Sequence, residues 1–145
     1  MRADPGNAEA CRRLYALWFR PFFADPAATA RRRGDCCAGA PAALSNGALV
    51  VGRHTMASLG DFGRRDSLRG VTTTVLVLHG SREVIPLGAA AEWNAAFPDA
   101  RLLLLEGAGH FPYVEAPAAF FPPIEEFLRG RWPKEAQGSP PSPGR

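Results

Sequence analysis

Two apolar runs separated by a helix-like stretch constrain the fold of this chain more than any other feature. The run 71–78 is rich in β-branched residues and ends in continuous apolar sequence, and the run 101–106 is mostly leucine. Runs of this kind are typical of strands buried on both faces. Between them, Pro86 opens a helical stretch that reaches about Phe97, where a further proline ends it. This order predicts a βαβ unit with parallel strands and a right-handed crossover.

An ionisable residue follows each predicted strand. Glu83 lies in the turn after the first strand, and His110 lies in a glycine-rich turn after the second, just beyond Gly107 and Gly109. The carboxyl ends of parallel strands meet at one edge of a sheet, where loops carry working residues. The glycines let the backbone turn sharply and project the histidine. We therefore expect Glu83 and His110 to lie on the same edge of the sheet.

These two turns together resemble the C-terminal part of the α/β-hydrolase family. The family pattern has a strand, then H-G-x-x-D/E with a nearby I-P, then a helix, then a strand ending in G-x-G-H-x-x-x-x-E-x-P. The corresponding residues are His79–Pro86 and Gly107–Pro117. The resemblance covers about residues 8–132, is strongest from Val71 onward, and is nearest to proline-iminopeptidase-like serine hydrolases. It implies a partial α/β-hydrolase fold, with a helical lid remnant followed by the last βαβ unit and a C-terminal helix.

The resemblance also implies two catalytic roles. His110 would be the general base, and Glu83 would be the acid that holds its imidazole in the correct tautomer. Histidine suits this role because it exchanges protons near neutral pH. The alternative, from the residues alone, is an ordinary surface hydrogen bond between the two side chains. The other histidines receive no catalytic role: His79 is expected to make a structural hydrogen bond, and His54 lies on a predicted helix without a partner in view.

A nucleophile is not recognisable in the sequence. In the family, the nucleophile lies on a G-x-S-x-G elbow that precedes the acid and the histidine, and no serine of this chain lies in such a pattern; the serines are Ser45, Ser58, Ser67, Ser81, Ser139 and Ser142. An oxyanion-hole loop is not recognisable either. The resemblance therefore implies the acid and the base of a triad for amide or ester hydrolysis, in a chain that is inactive alone. The nucleophile type stays open, because some superfamily members use aspartate. The alternative is a non-catalytic remnant, or a subunit that completes a partner's sheet.

The chain divides into three predicted parts. Residues 1–70 are predicted to be a lid remnant of helices alone, residues 71–133 the C-terminal end of the hydrolase core, and residues 134–145 a disordered tail rich in proline, serine and glycine. The predicted lid helices cover residues 8–19, 26–33 with Asp25 as the N-cap, 41–47 and 48–59. The aromatic residues Trp18, Phe22 and Phe23 either pack between lid helices or line an apolar substrate pocket.

The residues after His110 predict a helix with a break. Glu115 is expected to cap a helix that starts near Pro117, and the pair Pro122–Pro123 is expected to interrupt it, with a new turn over residues 123–129. Five apolar residues of this region are expected to face the sheet: Phe120, Phe121, Ile124, Phe127 and Leu128.

Composition limits the kinds of ligand and partner that this chain is expected to bind. Cys11, Cys36 and Cys37 have no metal-ligand spacing, and reduced thiols in a cytoplasmic protein are expected. The net charge of +3 comes from scattered arginines, which does not favour nucleic-acid binding, and no apolar run is long enough to span a membrane. No metal or organic cofactor is implied.

We expect a small-molecule or peptide substrate with an apolar part. A chain carrying the N-terminal half, or a homo-oligomer, could pair with the open edge of the first strand.

Overall fold

The computed structural model describes residues 8–35, 37, 41–60, 63 and 65–138, with the backbone alone for 41–49 and 65. These residues fall into two compact units. Those within Met1–Arg20 and Arg32–Gly63 form one unit, and those within Pro21–Arg31 and Arg64–Arg145 form the other. No helix in the described part of the chain is long and apolar enough to cross a membrane.

The first unit is built from helix α1, Ala8–Phe19, and helix α2, Pro41–Leu59. Helix α1 has the predicted bounds and ends before Pro21, which cannot donate a backbone hydrogen bond. Helix α2 is one helix where we expected two, 41–47 and 48–59. An interior glycine such as Gly47 costs a helix only about 1 kcal/mol relative to alanine, so it weakens the helix without ending it.

A disulfide in this unit corrects the expectation of reduced thiols. Cys11 of α1 is bonded to Cys37, 26 positions later. Beside it, the Arg12 side chain donates to the Asp35 carboxylate at 2.8 Å, and the backbone N–H of Cys37 donates to the same carboxylate at 2.9 Å. The hydrogen bond from Arg12, and then the one from Cys37, hold the pKa of Asp35 below its ordinary value. The pairing depends on the chain returning to α1, which cysteine spacing alone does not reveal.

The second unit begins with residues that we had assigned to the lid. Short 3-10 helices cover Arg20–Phe22 and Pro26–Arg31, and the Asp25 carboxylate accepts from the backbone N–H of Ala27 at 2.9 Å, as expected for a cap. The segment Pro21–Arg31 is part of the unit that contains the sheet. A one-turn helix, α3 at Arg65–Leu68, precedes the first strand.

The sheet contains the predicted βαβ unit. Strand β1, Val75–Gly80, pairs in parallel with strand β2, Ala100–Leu105, and helix α4, Leu87–Ala96, connects them. Strand β1 begins later than expected, since residues 71–74 are not in the strand. In the register, Gly80 lies opposite Leu105, so both strands end at the same edge. The predicted α/β architecture is confirmed, and no strand precedes β1 among the described residues.

The start of the predicted disordered tail is ordered. Strand β3, Gln137–Gly138, pairs antiparallel with β2 and gives the order β1-β2-β3. Ala136 is buried against Leu103 and Leu105, and the Trp132 ring packs under the Arg101 guanidinium, 4.7 Å from it. These apolar contacts offset the entropy that ordering the segment costs. Residues 139–145 of the predicted tail lie outside the described residues.

Two short helices follow β2: α5, Pro112–Glu115, and α6, Pro117–Leu128. The expected break at Pro122–Pro123 is wrong, because α6 continues through both prolines. Each proline removes one N–H donor, but its fixed φ is compatible with a helix. Phe120, Ile124 and Phe127 are partly buried on one face.

Two of the five apolar residues expected to face the sheet do not do so. Phe121 is 49% exposed and Leu128 is 77% exposed. Each follows directly after a partly buried aromatic residue of α6, and successive helical residues point about 100° apart. They therefore fall outside the face that Phe120, Ile124 and Phe127 present to the core.

Replacing Cys11 by serine should destabilise the first unit by about 3 kcal/mol, because the disulfide no longer restricts its unfolded chain. Denaturant unfolding with and without a thiol reductant measures the loss. The wild type should respond to reductant, and the Cys11→Ser variant should not. Peptide mapping under non-reducing conditions should recover a Cys11–Cys37 linked peptide; alkylation of Cys11 without prior reduction would contradict the pairing.

Candidate active site

The structure brings together the two residues expected from the sequence. The Nδ1 atom of His110 lies 2.7 Å from Oε2 of Glu83. The other carboxylate oxygen, Oε1, accepts from the backbone N–H of Ile85 at 3.0 Å. An ionised carboxylate can only accept, so Nδ1 of a neutral imidazole carries the hydrogen and Nε2 keeps its lone pair. The Glu83 side chain is 7% exposed and that of His110 is 38% exposed, so the pair combines a shielded acid with an accessible ring.

The turns after β1 and β2 lie in backbone contact. A Cβ on Gly80 would lie 2.2 Å from the carbonyl oxygen of Ala108 and 2.5 Å from that of Gly109. Backbone hydrogen bonds run from Ser81 to Leu105 at 3.0 Å and from Arg82 to Ala108 at 2.9 Å. Only glycine allows this approach, and the approach sets the separation of the loops that carry Glu83 and His110.

The two glycines before His110 are needed for different reasons. Gly107 has a φ of 73°, a left-handed conformation that glycine adopts at little cost. Its N–H donates to the Ser81 hydroxyl oxygen at 2.8 Å. Gly109 has a negative φ, but a Cβ there would lie 2.7 Å from both the Phe22 carbonyl oxygen and the Ala24 nitrogen. The next residue, His110, donates its N–H to that same carbonyl of Phe22 at 2.8 Å.

Glu115 does not cap the last helix, contrary to expectation. Helix α6 begins without a side-chain capping bond. Instead, Oε1 of Glu115 accepts from the backbone N–H of Ala24 at 2.6 Å, and Oε2 accepts from that of Gly109 at 2.8 Å. The sequence signal that marks Glu115 is its position in the G-x-G-H-x-x-x-x-E-x-P pattern. Its partner Ala24, 91 positions away, is visible only in the folded chain.

Aromatic rings surround the histidine. The Phe22 ring meets the His110 ring edge-on at 5.4 Å, and the Phe111 ring does so at 5.1 Å. Phe23 is buried and stacks at a tilt on Phe111 at 4.8 Å. Phe23 therefore packs in a core, but against Phe111 and not between lid helices as expected, whereas Phe22 lies beside the histidine, where an apolar wall of a substrate pocket would be. Trp18 is exposed within its own unit and supports neither reading.

The remaining candidates lie elsewhere. His79 is within β1 opposite Leu104, and His54 is exposed on α2. Ser58 donates to a carbonyl of its own helix, whereas Ser81 follows β1 directly. Ser139 and Ser142 lie outside the described residues, and the side chain of Ser45 is not described. Among the described residues, no cluster of three or more His, Cys, Asp or Glu side chains could hold a metal ion.

Replacing Gly80 by alanine should separate the two turns and destabilise the second unit by about 1–3 kcal/mol, because backbone atoms must move to admit the methyl group. The matched control is Gly88→Ala in α4, where a Cβ has nothing within 4 Å. This control should be neutral or stabilising by up to about 1 kcal/mol. Urea unfolding of both variants measures the difference; equal stabilities would contradict the close approach at Gly80.

Comparisons with known proteins point to one family. A sequence profile described as "Alpha/beta hydrolase family" matches residues 2–122. The pimeloyl-[acyl-carrier protein] methyl ester esterase of Aromatoleum aromaticum is 34% identical in an alignment of 127 positions that covers 75% of this chain and 50% of that protein. The esterase of the same name from Nitrosomonas europaea is 39% identical over 57 residues, 39% of this chain and 23% of that protein.

An uncharacterised protein of Mycobacterium tuberculosis is 36% identical over 62 residues, 42% of this chain and 18% of that protein. This chain spans about half the length of the Aromatoleum esterase, and less of the other two relatives. No solved structure matches it.

Proposed function

The chain belongs to the alpha/beta hydrolase family, and we propose that it carries the acid and the base of a Ser-His-acid triad that hydrolyses an ester. Glu83 is the acid and His110 is the base. The observation that carries the proposal is the 2.7 Å contact between Nδ1 of His110 and Oε2 of Glu83. That contact leaves the opposite ring nitrogen, Nε2, available to a nucleophile.

In this mechanism His110 transfers one proton in each of two stages, the acylation and the deacylation of the nucleophile. Nε2 takes the proton from the nucleophile's hydroxyl as its oxygen attacks the ester carbonyl carbon, and then gives the proton to the departing alkoxide. In the second stage, a water molecule attacks the acyl carbon while Nε2 takes its proton. Nε2 then gives that proton to the nucleophile oxygen as the acyl group leaves. Glu83 accepts the Nδ1 hydrogen throughout and offsets the charge of the imidazolium that forms. Its second oxygen accepts from the backbone N–H of Ile85, which restrains the orientation of the carboxylate.

The relatives favour an ester over an amide. Two of them are esterases whose name specifies the methyl ester of a pimeloyl group on acyl-carrier protein. We propose that this chain likewise serves an ester whose acyl part is apolar, since the rings of Phe22 and Phe111 flank His110. The amide of a peptide, expected from the resemblance to proline iminopeptidases, is the alternative substrate.

We propose that the nucleophile comes from a segment outside the present sequence, in the same longer polypeptide or in a partner chain. The support is the sequence, which holds no G-x-S-x-G elbow. Ser81, the described serine that directly follows β1, has its hydroxyl oxygen engaged by the N–H of Gly107. On this account the chain alone does not turn over substrate.

A second candidate is a subunit that completes a partner's sheet, without catalysis of its own. It is favoured by the position of β1, which lies at one end of the strand order with its outer edge unpaired among the described residues. An open edge of an apolar strand is a template for strand addition. The partner would be a chain carrying the N-terminal half, or another copy of this chain.

The expected cytoplasmic location is retained as a proposal. Disulfides are rare in reducing compartments. The disulfide between Cys11 and Cys37 would make a cytoplasmic protein an exception to this rule. Trapping of thiols in intact cells, followed by peptide mapping, shows whether Cys11 and Cys37 are bonded where the protein resides.

Assays of the purified chain test the placement of the nucleophile. A panel of p-nitrophenyl esters and aminoacyl p-nitroanilides should show no hydrolysis above that of the His110→Ala variant, because no nucleophile faces Nε2. Hydrolysis that disappears in both His110→Ala and Ser81→Ala would show that Ser81 is a nucleophile, and our placement would be wrong.

A fusion tests the acid and the base directly. The half of the Aromatoleum esterase that this chain does not match, joined ahead of this chain, would supply the nucleophile that we propose lies outside the present sequence. In an active fusion, His110→Ala and Glu83→Gln should each lower kcat about 10³–10⁴-fold, and an ester should be preferred over an anilide. The matched control is Glu125→Gln, the same chemical change on an exposed side chain of α6. Activity that survives His110→Ala would refute the assignment.

A further inference from the structure

We propose that Glu115 is a positioning residue for His110: its carboxylate ties the turn that carries His110 to the segment 22–25, and this tie keeps the imidazole ring against Glu83. The inference rests on the proposed function of His110 as the base. It adds that the base is held from two sides, by Glu83 through the ring and by Glu115 through the backbone.

The first support is the way the carboxylate is used. Both oxygens of Glu115 accept short backbone hydrogen bonds, from Ala24 at 2.6 Å and from Gly109 at 2.8 Å. The N–H of Asp25 adds a longer contact of 3.4 Å to Oε1. Hydrogen bonds to an ionised acceptor are roughly twice as strong as neutral ones. One side chain therefore joins two segments that are distant in sequence.

The second support is what the bonds hold. Gly109 directly precedes His110, and the two successive N–H groups are both engaged: that of Gly109 by Glu115, and that of His110 by the Phe22 carbonyl at 2.8 Å. The Phe22 ring also meets the His110 ring edge-on. Backbone and ring of the histidine are thus both fixed against the segment 22–25.

The third support is the absence of free space at the junction. The backbone of Gly109 approaches Phe22 and Ala24 so closely that a single added carbon would lie 2.7 Å from each. A shift of the segment 22–25 would therefore move the Gly109–His110 turn. Movement of that turn would change the 2.7 Å contact between His110 and Glu83.

A purely structural role for Glu115 makes a different prediction. If its bonds only stabilised the fold, a Glu115→Gln variant would lose stability, but its folded molecules would keep the His110 ring as in the wild type. A positioning role changes the ring in the folded molecules. The amide of glutamine has one accepting oxygen and one donating nitrogen, so one of the two backbone N–H groups would face a donor and lose its partner.

The test is the tautomer of the His110 ring, measured by long-range ¹H–¹⁵N spectroscopy on chain labelled with ¹⁵N-histidine. The chain has three histidines, so three sets of ring signals are expected. The set that is missing from the His110→Gln variant belongs to His110. At a pH where the rings are neutral, the wild type should show the Nδ1–H form at His110. Glu115→Gln should lower the ratio of the Nδ1–H to the Nε2–H form by roughly fivefold to tenfold, as loss of one charge-assisted hydrogen bond permits.

Two further variants complete the set. Glu115→Asp retains both accepting oxygens and should recover part of the wild-type ratio. Glu125→Gln removes an equal charge from an exposed ion pair on α6 and should leave the ratio unchanged. Melting curves of the same samples confirm that each spectrum reports folded protein.

The outcomes separate the inference from the proposed function. If the wild type lacks the Nδ1–H form at His110, the proposed base fails, whatever Glu115 does. If the wild type has that form and folded Glu115→Gln keeps the same ratio, the positioning role alone is refuted.

Amide hydrogen exchange in the wild type provides a test that does not depend on a variant's folding. Ala24 and Gly109 share one acceptor group, so their N–H groups should exchange at rates within about threefold of each other. An Ala24 rate more than about tenfold faster than that of Gly109 would show that the two segments open independently, and would overturn the inference.

Discussion

The close approach of two backbone turns is the constraint on which the site depends. At Gly80, the end of β1 comes so near to Ala108 and Gly109 that no side chain fits between them. Parallel pairing brings the two strand ends to one edge, and this contact then sets the separation of the residues that follow. The hydrogen bond between Glu83 and His110 then spans the two loops that this contact holds together.

The segment 22–25 is the third part of the chain that forms the site, in addition to the turns after β1 and β2. It is separated from the sheet in sequence by the whole of α2, yet it belongs to the compact unit that contains the sheet. Its backbone supplies a carbonyl to His110 and an N–H to Glu115. A segment that sequence order assigns to the lid therefore contributes to holding His110. In the proposed enzyme, a movement of this lid segment would therefore change the orientation of the base.

The sequence predicts well the parts of this structure that depend on local pattern. The βαβ unit follows from two apolar runs around a helical stretch, and the meeting of Glu83 with His110 follows from the geometry of parallel strand ends. The sequence does not predict long-range partners. Nothing local to Glu115 indicates Ala24, and nothing local to Cys11 indicates Cys37.

The boundaries of the elements depend on tertiary contacts in the same way. Strand β3 has two residues and no alternating pattern that would predict it. It forms by pairing with the edge of β2 next to the buried Ala136. Helix α6 continues through Pro122–Pro123, where the intrinsic preference of proline predicts a break. In both cases packing outweighs a local preference of a few kcal/mol at most.

The central claim is that Glu83 holds His110 with hydrogen on Nδ1 and a free lone pair on Nε2. Neutron diffraction from a deuterium-exchanged crystal of the chain, grown at a pH where the ring is neutral, locates that hydrogen directly. The account predicts deuterium on Nδ1, directed at the Glu83 carboxylate, and none on Nε2. Deuterium on Nε2 alone, or a ring turned away from Glu83, would contradict it.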